Sequence, residues 1–175
     1  MKAVVIYNSK TGFTEAYARW LAEALQCEAI PYNKRGALRL TDYDAVLYGG
    51  GLCAGVIRGA GWFKKAIGPL QHTRKAVFAV GLTPADAPEA AGCLKQNFDP
   101  AAYPDVRTFY LPGGLCYEKT GFFARKLLGM LRGSLQKKPD KTPAEEAMLS
   151  ALSASCDLTS PAYIRPILSY ILGEA

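Results

Sequence analysis

The chain has 175 residues, half of them hydrophobic, with a formal net charge of +6 and a pI near 9.1. That length fits one domain, expected here over 1–175, and that apolar content fills a core without disulfides or a structural metal. No apolar run approaches the roughly 20 residues of a membrane span. The positive charge admits nucleic acid, acidic lipid or acidic substrates as partners and chooses none of them.

The first apolar run, AVVIY (3–7), follows a single lysine and stops too early for a signal peptide, so it reads as a strand. NSKTGFTEAYA comes next, with Ser9, Thr11 and Thr14 around Gly12. A helix is expected over 13–26, where Phe13, Tyr17, Leu21 and Leu25 recur every four residues and make one apolar face. EAIPY (28–32) is a second strand, and the link over 34–43 is too short and too basic for a long helix. AVLYGG (45–50), AVFAVG (76–81) and VRTFYL (106–111) are further strands, separated by helical segments over 58–68 and 87–97. Several of these strands lack period-two alternation, as expected where both faces of a parallel sheet are covered. Alternating β and α segments with short connections predict an α/β fold, an open, doubly wound, five-stranded parallel sheet.

The regular pattern breaks after residue 111. LPGGLCYEKTG is a Gly-rich loop, and FFARKLLGMLRGSLQ reads as an amphipathic helix with Phe123, Leu127, Met130 and Leu131 on one side. It is a basic helix inserted after the start of the fifth-strand region. KKPDKTP ends it. PAEEAMLSALSA starts another helix, with Pro143 in its first turn and Glu145 and Glu146 close behind. The tail SPAYIRPILSYILGEA is apolar, is interrupted by Pro166, and is expected to fold back onto the body. Residues 119–141 hold seven basic side chains against Asp140 alone, a net charge equal to that of the whole chain. Such a helix either lies on an anionic membrane surface or turns its apolar side inward and its basic side to water. Nucleic acid is not expected as a partner, since neither a stacking platform nor a known module is present.

In a doubly wound sheet, ligands bind outside the carboxyl ends of the strands. The loop 9–14 leaves the first strand at such an end. Its backbone N–H groups and the following helix N-terminus make an anion site. Three hydroxyls add donors, and Gly12 permits close backbone approach. A phosphate monoester can be held this way without a metal; an ordinary turn before a capped helix would look similar. The spacing is not that of a P-loop. GGGLCAG (49–55) matches a dinucleotide fingerprint weakly, but it follows the third strand and no acid stands about 20 residues later. Asn8 and Ser9 stand where a response regulator would need carboxylates. Five widely spaced cysteines, no CxxC and a single histidine, His72, argue against a metal site and for reduced thiols in a cytosolic setting.

SKTGFT resembles the phosphate loop of flavodoxins, [ST]-x-T-G-x-T, with Ser9, Thr11, Gly12 and Thr14 on the matching positions. The resemblance implies a flavodoxin-like fold and FMN, with the phosphate in a loop that also carries Lys10 and Phe13. Two other loops would then enclose the isoalloxazine ring. GGGLCAG supplies Gly50, Gly51, Leu52, Cys53 and Ala54, and GLTPADAP supplies Gly81, Leu82 and Thr83. YDAVLYGGGLCAGVIRGAGWFKKAI and LPGGLCYEKTGFFARKLLGML are similar to the branch containing bacterial menaquinone-dependent protoporphyrinogen oxidases, over about residues 2–135. That branch implies an FMN-dependent oxidoreductase that takes electrons from a porphyrinogen-like substrate and passes them to a quinone. It also implies a cytoplasmic protein, peripheral to the membrane, with Tyr117 edging the pocket. The alternative is a flavodoxin-type electron carrier between partner proteins, although such carriers are usually acidic. Cys53 departs from the branch, where an aromatic is common, and the C-terminal tail differs. Tyr117 equally suits packing on the core. Trp62 and Phe63 are expected to pack on the sheet more readily than on a ring, and Cys53 to be a small buried filler more readily than a reactive thiol.

Overall fold

The computed structural model describes residues 1–116, 122–152 and 155–174, with the side chains at 122–124, 127, 144, 147 and 151 outside the description. The chain begins with β1 (Ala3–Asn8), α1 (Phe13–Ala24) and β2 (Glu28–Pro31). Two short 3-10 segments, Tyr32–Ala37 and Leu40–Asp42, fill the link that the sequence marks as too short for a long helix. Then come β3 (Ala45–Cys53), β4 (Val56–Ile57), α2 (Ala60–Ala66), β5 (Arg74–Gly81), α3 (Pro88–Asn97) and β6 (Val106–Pro112).

The long strands are parallel and ordered β2-β1-β3-β5-β6. This is the flavodoxin-like order of a doubly wound sheet. Apolar runs make it: Val4, Val5, Ile6, Val46, Leu47, Tyr48, Val77, Phe78 and Ala79 are all fully buried. Successive residues point to opposite faces, so each run feeds two cores. On one face Val5, Leu47, Ala76, Phe78 and Val80 pack against Tyr17, Ala18 and Leu21 of α1. On the other, Val4, Ile6, Val46, Tyr48, Val77 and Ala79 meet Ala60 and Phe63 of α2 and Phe98 at the end of α3.

β3 runs past its expected end at residue 50. It turns through Ala54 and Gly55 into β4, which pairs back on it antiparallel. After β6, β7 (Gly114–Leu115) leads into α4 (Phe122–Lys137) and α5 (Pro143–Ala151), and the chain returns at β8 (Cys156–Asp157). β7 and β8 pair antiparallel, Gly114 opposite Asp157 and Leu115 opposite Cys156. Residues 116–155 are therefore an excursion closed at its base by a two-residue ladder.

Of the apolar side expected for α4, Met130 and Leu131 are not buried. Met130 is 66% and Leu131 40% exposed. Leu128 and Leu135 instead join Leu115, Met148, Leu149 and Leu152 in a small cluster of their own. The reason is that α4 packs on α5 and β7 and does not lie on the large sheet, so only a narrow stripe is covered. The side chains of Phe123 and Leu127 lie outside the described residues.

The tail folds back as expected. A turn at Pro161–Ile164 leads into α6 (Arg165–Leu172), and Ile164, Ile167 and Ile171 complete the core on the α1 face. An Arg74 guanidinium N–H donates to the Ile171 carbonyl. None of the five cysteines is in a disulfide. Among the described residues, no helix is long and apolar enough to cross a membrane.

One buried hydroxyl ties these parts together. The Tyr17 O–H donates to the Pro112 carbonyl at 2.6 Å, and the Ser160 N–H donates to the Tyr17 oxygen at 3.4 Å. Burial, the larger effect, pushes the Tyr17 phenol up to about 12. The folded state thus favours the neutral phenol. Its contribution is complete below the ordinary value of 10.0 and is lost as pH rises from there through about 12. Replacing Tyr17 by Phe is expected to cost about 1–3 kcal/mol by urea unfolding at neutral pH. The variant should also lose the part of the alkaline destabilisation that this phenol causes. A neutral-pH change under about 0.5 kcal/mol would show that the bond contributes no more than an ordinary surface contact.

Candidate functional site

The carboxyl ends of β1, β3 and β5 open into a cleft of about 460 Å³, a size suited to a small-molecule or cofactor ligand. Its first wall is the loop 9–14. Gly12, with φ of 105°, adopts the left-handed conformation there and is the N-cap of α1. Its N–H donates to Ser9 Oγ at 3.1 Å, so the Ser9 hydroxyl shapes the loop from within. Lys10, Thr11, Phe13 and Thr14 line the cleft, while Ser9 and Gly12 stand behind them. A glycine N-cap provides no side-chain hydrogen bond to the first turn of α1. Those N–H groups are orphan donors that helix geometry leaves for a ligand or water. Neutral donors of this kind beside the hydroxyls of Thr11 and Thr14 fit a phosphate group.

The second wall is the hairpin formed by β3 and β4. Gly51, Leu52, Cys53 and Ala54 line it, joined by Gly55 and Arg58. Gly50 lies underneath, where a Cβ would stand 2.5 Å from Ile57 Cγ2, so this glycine lets the hairpin fold tightly over the strand. The Tyr48 O–H donates to the Arg58 carbonyl at 2.5 Å, fixing the chain as it enters α2.

Gly81, Leu82 and Thr83 form the third wall, with Val80, and Glu89 and Cys93 of α3. The Thr83 N–H donates to the Tyr110 oxygen at 3.0 Å. Burial, the larger effect, raises the Tyr110 pKa, and its bonds to Thr83 lower it. The fourth wall comes from the excursion and its base. Gly113, Gly114 and Leu115 meet Leu128 and Leu131 of α4 and Met148 of α5. Phe13 packs against Gly114, where an added Cβ would come within 2.5 Å of the ring.

The structure therefore brings together Lys10, Thr11, Phe13, Thr14, Gly51, Leu52, Cys53, Ala54, Gly81, Leu82 and Thr83. Tyr117 lies outside the described residues. Cys53 is exposed on the cleft wall and is not the buried filler expected of it. Trp62 and Phe63 are away from the cleft, in an aromatic cluster with Tyr32 and Tyr48. His72 sits in an exposed bend. Among the described residues, no group of three or more His, Cys, Asp or Glu side chains converges to hold a metal.

Sequence reasoning missed Arg58, Glu89, Cys93, Tyr110 and Met148. Each stands in an element read only for its helix or strand pattern, and only the packing of α3, β6 and α5 brings the last four to the cleft. A close signal existed for Arg58 alone, which lies three residues beyond the small-residue turn.

A family model described as the flavodoxin domain matches residues 4–142. Similar solved structures include oxidised flavodoxin 1 from Bacillus cereus, 19% identical, covering 68% of this chain and 89% of that one at a TM-score of 0.46. The Trp repressor binding protein from Bacillus subtilis is 14% identical, with 81% and 100% covered and a TM-score of 0.48. Rubredoxin oxygen:oxidoreductase from Desulfovibrio gigas is 17% identical, with 87% and 37% covered and a TM-score of 0.45. No curated protein matches the chain. The family model carries the assignment, and it spans the hydroxyl loop, the cleft loops after β3 and β5, and the excursion through α4. The chain belongs to the flavodoxin domain family, whose domain implies a flavin cofactor.

Proposed function

We propose that the cleft holds FMN and that the protein is an FMN-dependent oxidoreductase. Its substrate would be an apolar, carboxylate-bearing reductant of porphyrinogen type, with a quinone as electron acceptor. When bound, the flavin supplies two-electron redox chemistry. The chain's own residues bind, orient and exclude water. The uncapped start of α1, with Thr11 and Thr14, suits the phosphate. The Ala54–Gly55 turn and Gly81–Thr83 suit the two sides of a flat ring. Lys10 and Arg58 place positive charge in the cleft, which favours a carboxylated partner.

The observation that carries the enzyme reading is the fourth wall. Leu128, Leu131 and Met148 reach the cleft from the excursion and give it an apolar side. An electron carrier needs only an exposed ring edge and a docking patch, so such a wall has no use in it. A cleft closed on one side by aliphatic groups instead suits a bulky apolar molecule beside the ring. We also propose that α4 touches an anionic membrane surface, peripherally and from the cytoplasmic side. Arg125 and Lys126 are exposed on α4, and Met130 and Leu131 expose apolar surface on the same helix.

FMN is expected to bind more tightly than riboflavin to the cofactor-free protein. Thr14→Val should weaken FMN by roughly ten- to hundredfold through loss of one charge-assisted bond, with riboflavin little changed. Equal affinity of the wild type for the two flavins would remove the phosphate assignment. Leu131→Glu should slow reoxidation of the reduced holoprotein by a quinone analogue by about tenfold or more, a barrier change of about 1.4 kcal/mol. Anaerobic porphyrinogen should bleach the bound flavin. No bleaching, with a quinone rate indifferent to the Leu131 change, would favour the carrier. Co-sedimentation with anionic vesicles should fall with salt, because exposed charges are screened over about 10 Å at 0.1 M. Reversing Arg125, Lys126 and Arg132 to Glu should abolish it. Equal sedimentation with neutral vesicles would exclude the membrane contact.

A further inference from the structure

The hairpin wall is supported by a buried side chain from α3. β4 is two residues long and pairs only with Leu52 and Cys53. Its turn residues, Ala54 and Gly55, both have positive φ, 49° and 78°, the signature of a two-residue type I′ turn. Ala54 is strained there, because its Cβ crowds the backbone in the left-handed region. An isolated hairpin is marginal at best in water. Something outside the hairpin must hold it.

Asn97 does so. It is the last residue of α3, only 7% exposed, and 40 residues from the backbone N–H it accepts. Asn97 Oδ1 accepts the Ile57 N–H at 2.9 Å. Asn97 Nδ2 donates to the Gly55 carbonyl at 2.7 Å and to the Cys93 carbonyl at 2.9 Å. The partners dictate the amide's orientation, since an N–H must face oxygen and two carbonyls must face nitrogen. The Cys93 thiol donates to the same Gly55 carbonyl at 3.2 Å and itself lines the cleft. One buried carboxamide thus grips the hairpin on both sides of Val56, through the turn carbonyl and through β4. Burial raises the pKa of Cys93, the titratable group in contact with it.

We propose that Asn97, assisted by Cys93, is the positioning residue of this site. It fixes the shape of the 53–58 wall and so sets the affinity for the flavin ring without touching the ligand. The inference rests on the reading that the cleft holds a flavin. It also separates the labour in the cleft: Thr14 governs the phosphate, Asn97 the ring.

The test uses the full chain freed of cofactor, with riboflavin as the probe, so that the phosphate's own titration drops out. Asn97→Asp keeps an acceptor for Ile57 but turns a second carboxylate oxygen toward the carbonyls of Gly55 and Cys93. At about pH 8 this variant should bind riboflavin roughly tenfold more weakly than the wild type. The loss should reverse toward about pH 5, because the introduced carboxyl, its pKa raised by burial, regains a proton and donates where Nδ2 did. FMN should lose the same factor at about pH 8, leaving the FMN-to-riboflavin ratio unchanged, whereas Thr14→Val changes that ratio. Cys93→Ala should weaken riboflavin by about threefold at every pH, since one weak donor is removed. Wild-type affinity in Asn97→Asp at about pH 8, or a loss that acid does not reverse, overturns the proposal. If that variant does not fold, Cys93→Ala decides, and unchanged affinity overturns it. A wild type that binds neither flavin overturns the cofactor reading and this inference together. A wild type that binds, beside a variant that binds equally, overturns this inference alone.

Discussion

Everything in this molecule depends on three adjacent parallel strands with no face exposed. β1, β3 and β5 bury their central residues completely, and parallel pairing forbids joining them by tight turns. Each connection must run back along the sheet, over α1, α2 or α3 or, between β2 and β3, through the two 3-10 segments, so all the strand carboxyl ends open on one side. The chain runs from β1 outward to β2, then returns past β1 to β3 and continues to β5 and β6. At that reversal the loops after β1 and β3 leave in opposite directions, and a crevice is left between them. The cleft is therefore a consequence of covering both faces of the sheet with a single chain.

The walls of the crevice divide its chemistry. On the β1 side the backbone supplies donors, because a glycine N-cap leaves the start of α1 without a side-chain partner. On the opposite side the excursion supplies aliphatic groups. That excursion has its own local order. Thr142 and Glu145 form a reciprocal capping box at the start of α5, and Lys138 pairs with Glu145 at 2.7 Å. The ion pair is exposed and contributes little by itself. The capping box and the Leu115, Leu128, Leu135 and Leu152 cluster do more to set how α5 meets α4. The apolar wall is thus organised by contacts separate from the large sheet's two cores. A fold whose central layer is committed to packing can vary its ligand side through such an attachment.

The hairpin after β3 shows a different solution. Its conformation is locally unfavourable at Ala54, and its own ladder is too short to impose it. The stabilisation comes from α3, across the cleft's rim, through a side chain with every polar atom engaged. A buried amide with unmet partners would be costly, so the loop and the helix end constrain each other. The result is a cleft wall whose shape is held from the interior.

Much of this was legible in the amino-acid order because it is local. Parallel strands covered by helices need apolar runs, and five such runs were visible, three of them on the buried β1, β3 and β5. The cleft-lining loop after β1 needs small residues and a glycine at the start of α1, and SKTGFT shows them. The return of the tail was legible too, because Ile164, Ile167 and Ile171 have nowhere else to go. What the order could not decide was phase and distant contact. α4 offers two overlapping apolar stripes, and only packing against α5 and β7 selects Leu128 and Leu135 over Met130. Arg58, Glu89, Cys93 and Tyr110 join the cleft, and Asn97 grips its hairpin, through contacts between elements far apart in sequence. Helical or strand periodicity records which face of an element is buried, but not against what. That choice belongs to the tertiary structure, because it depends on how the sheet twists and where each crossover sets its helix down.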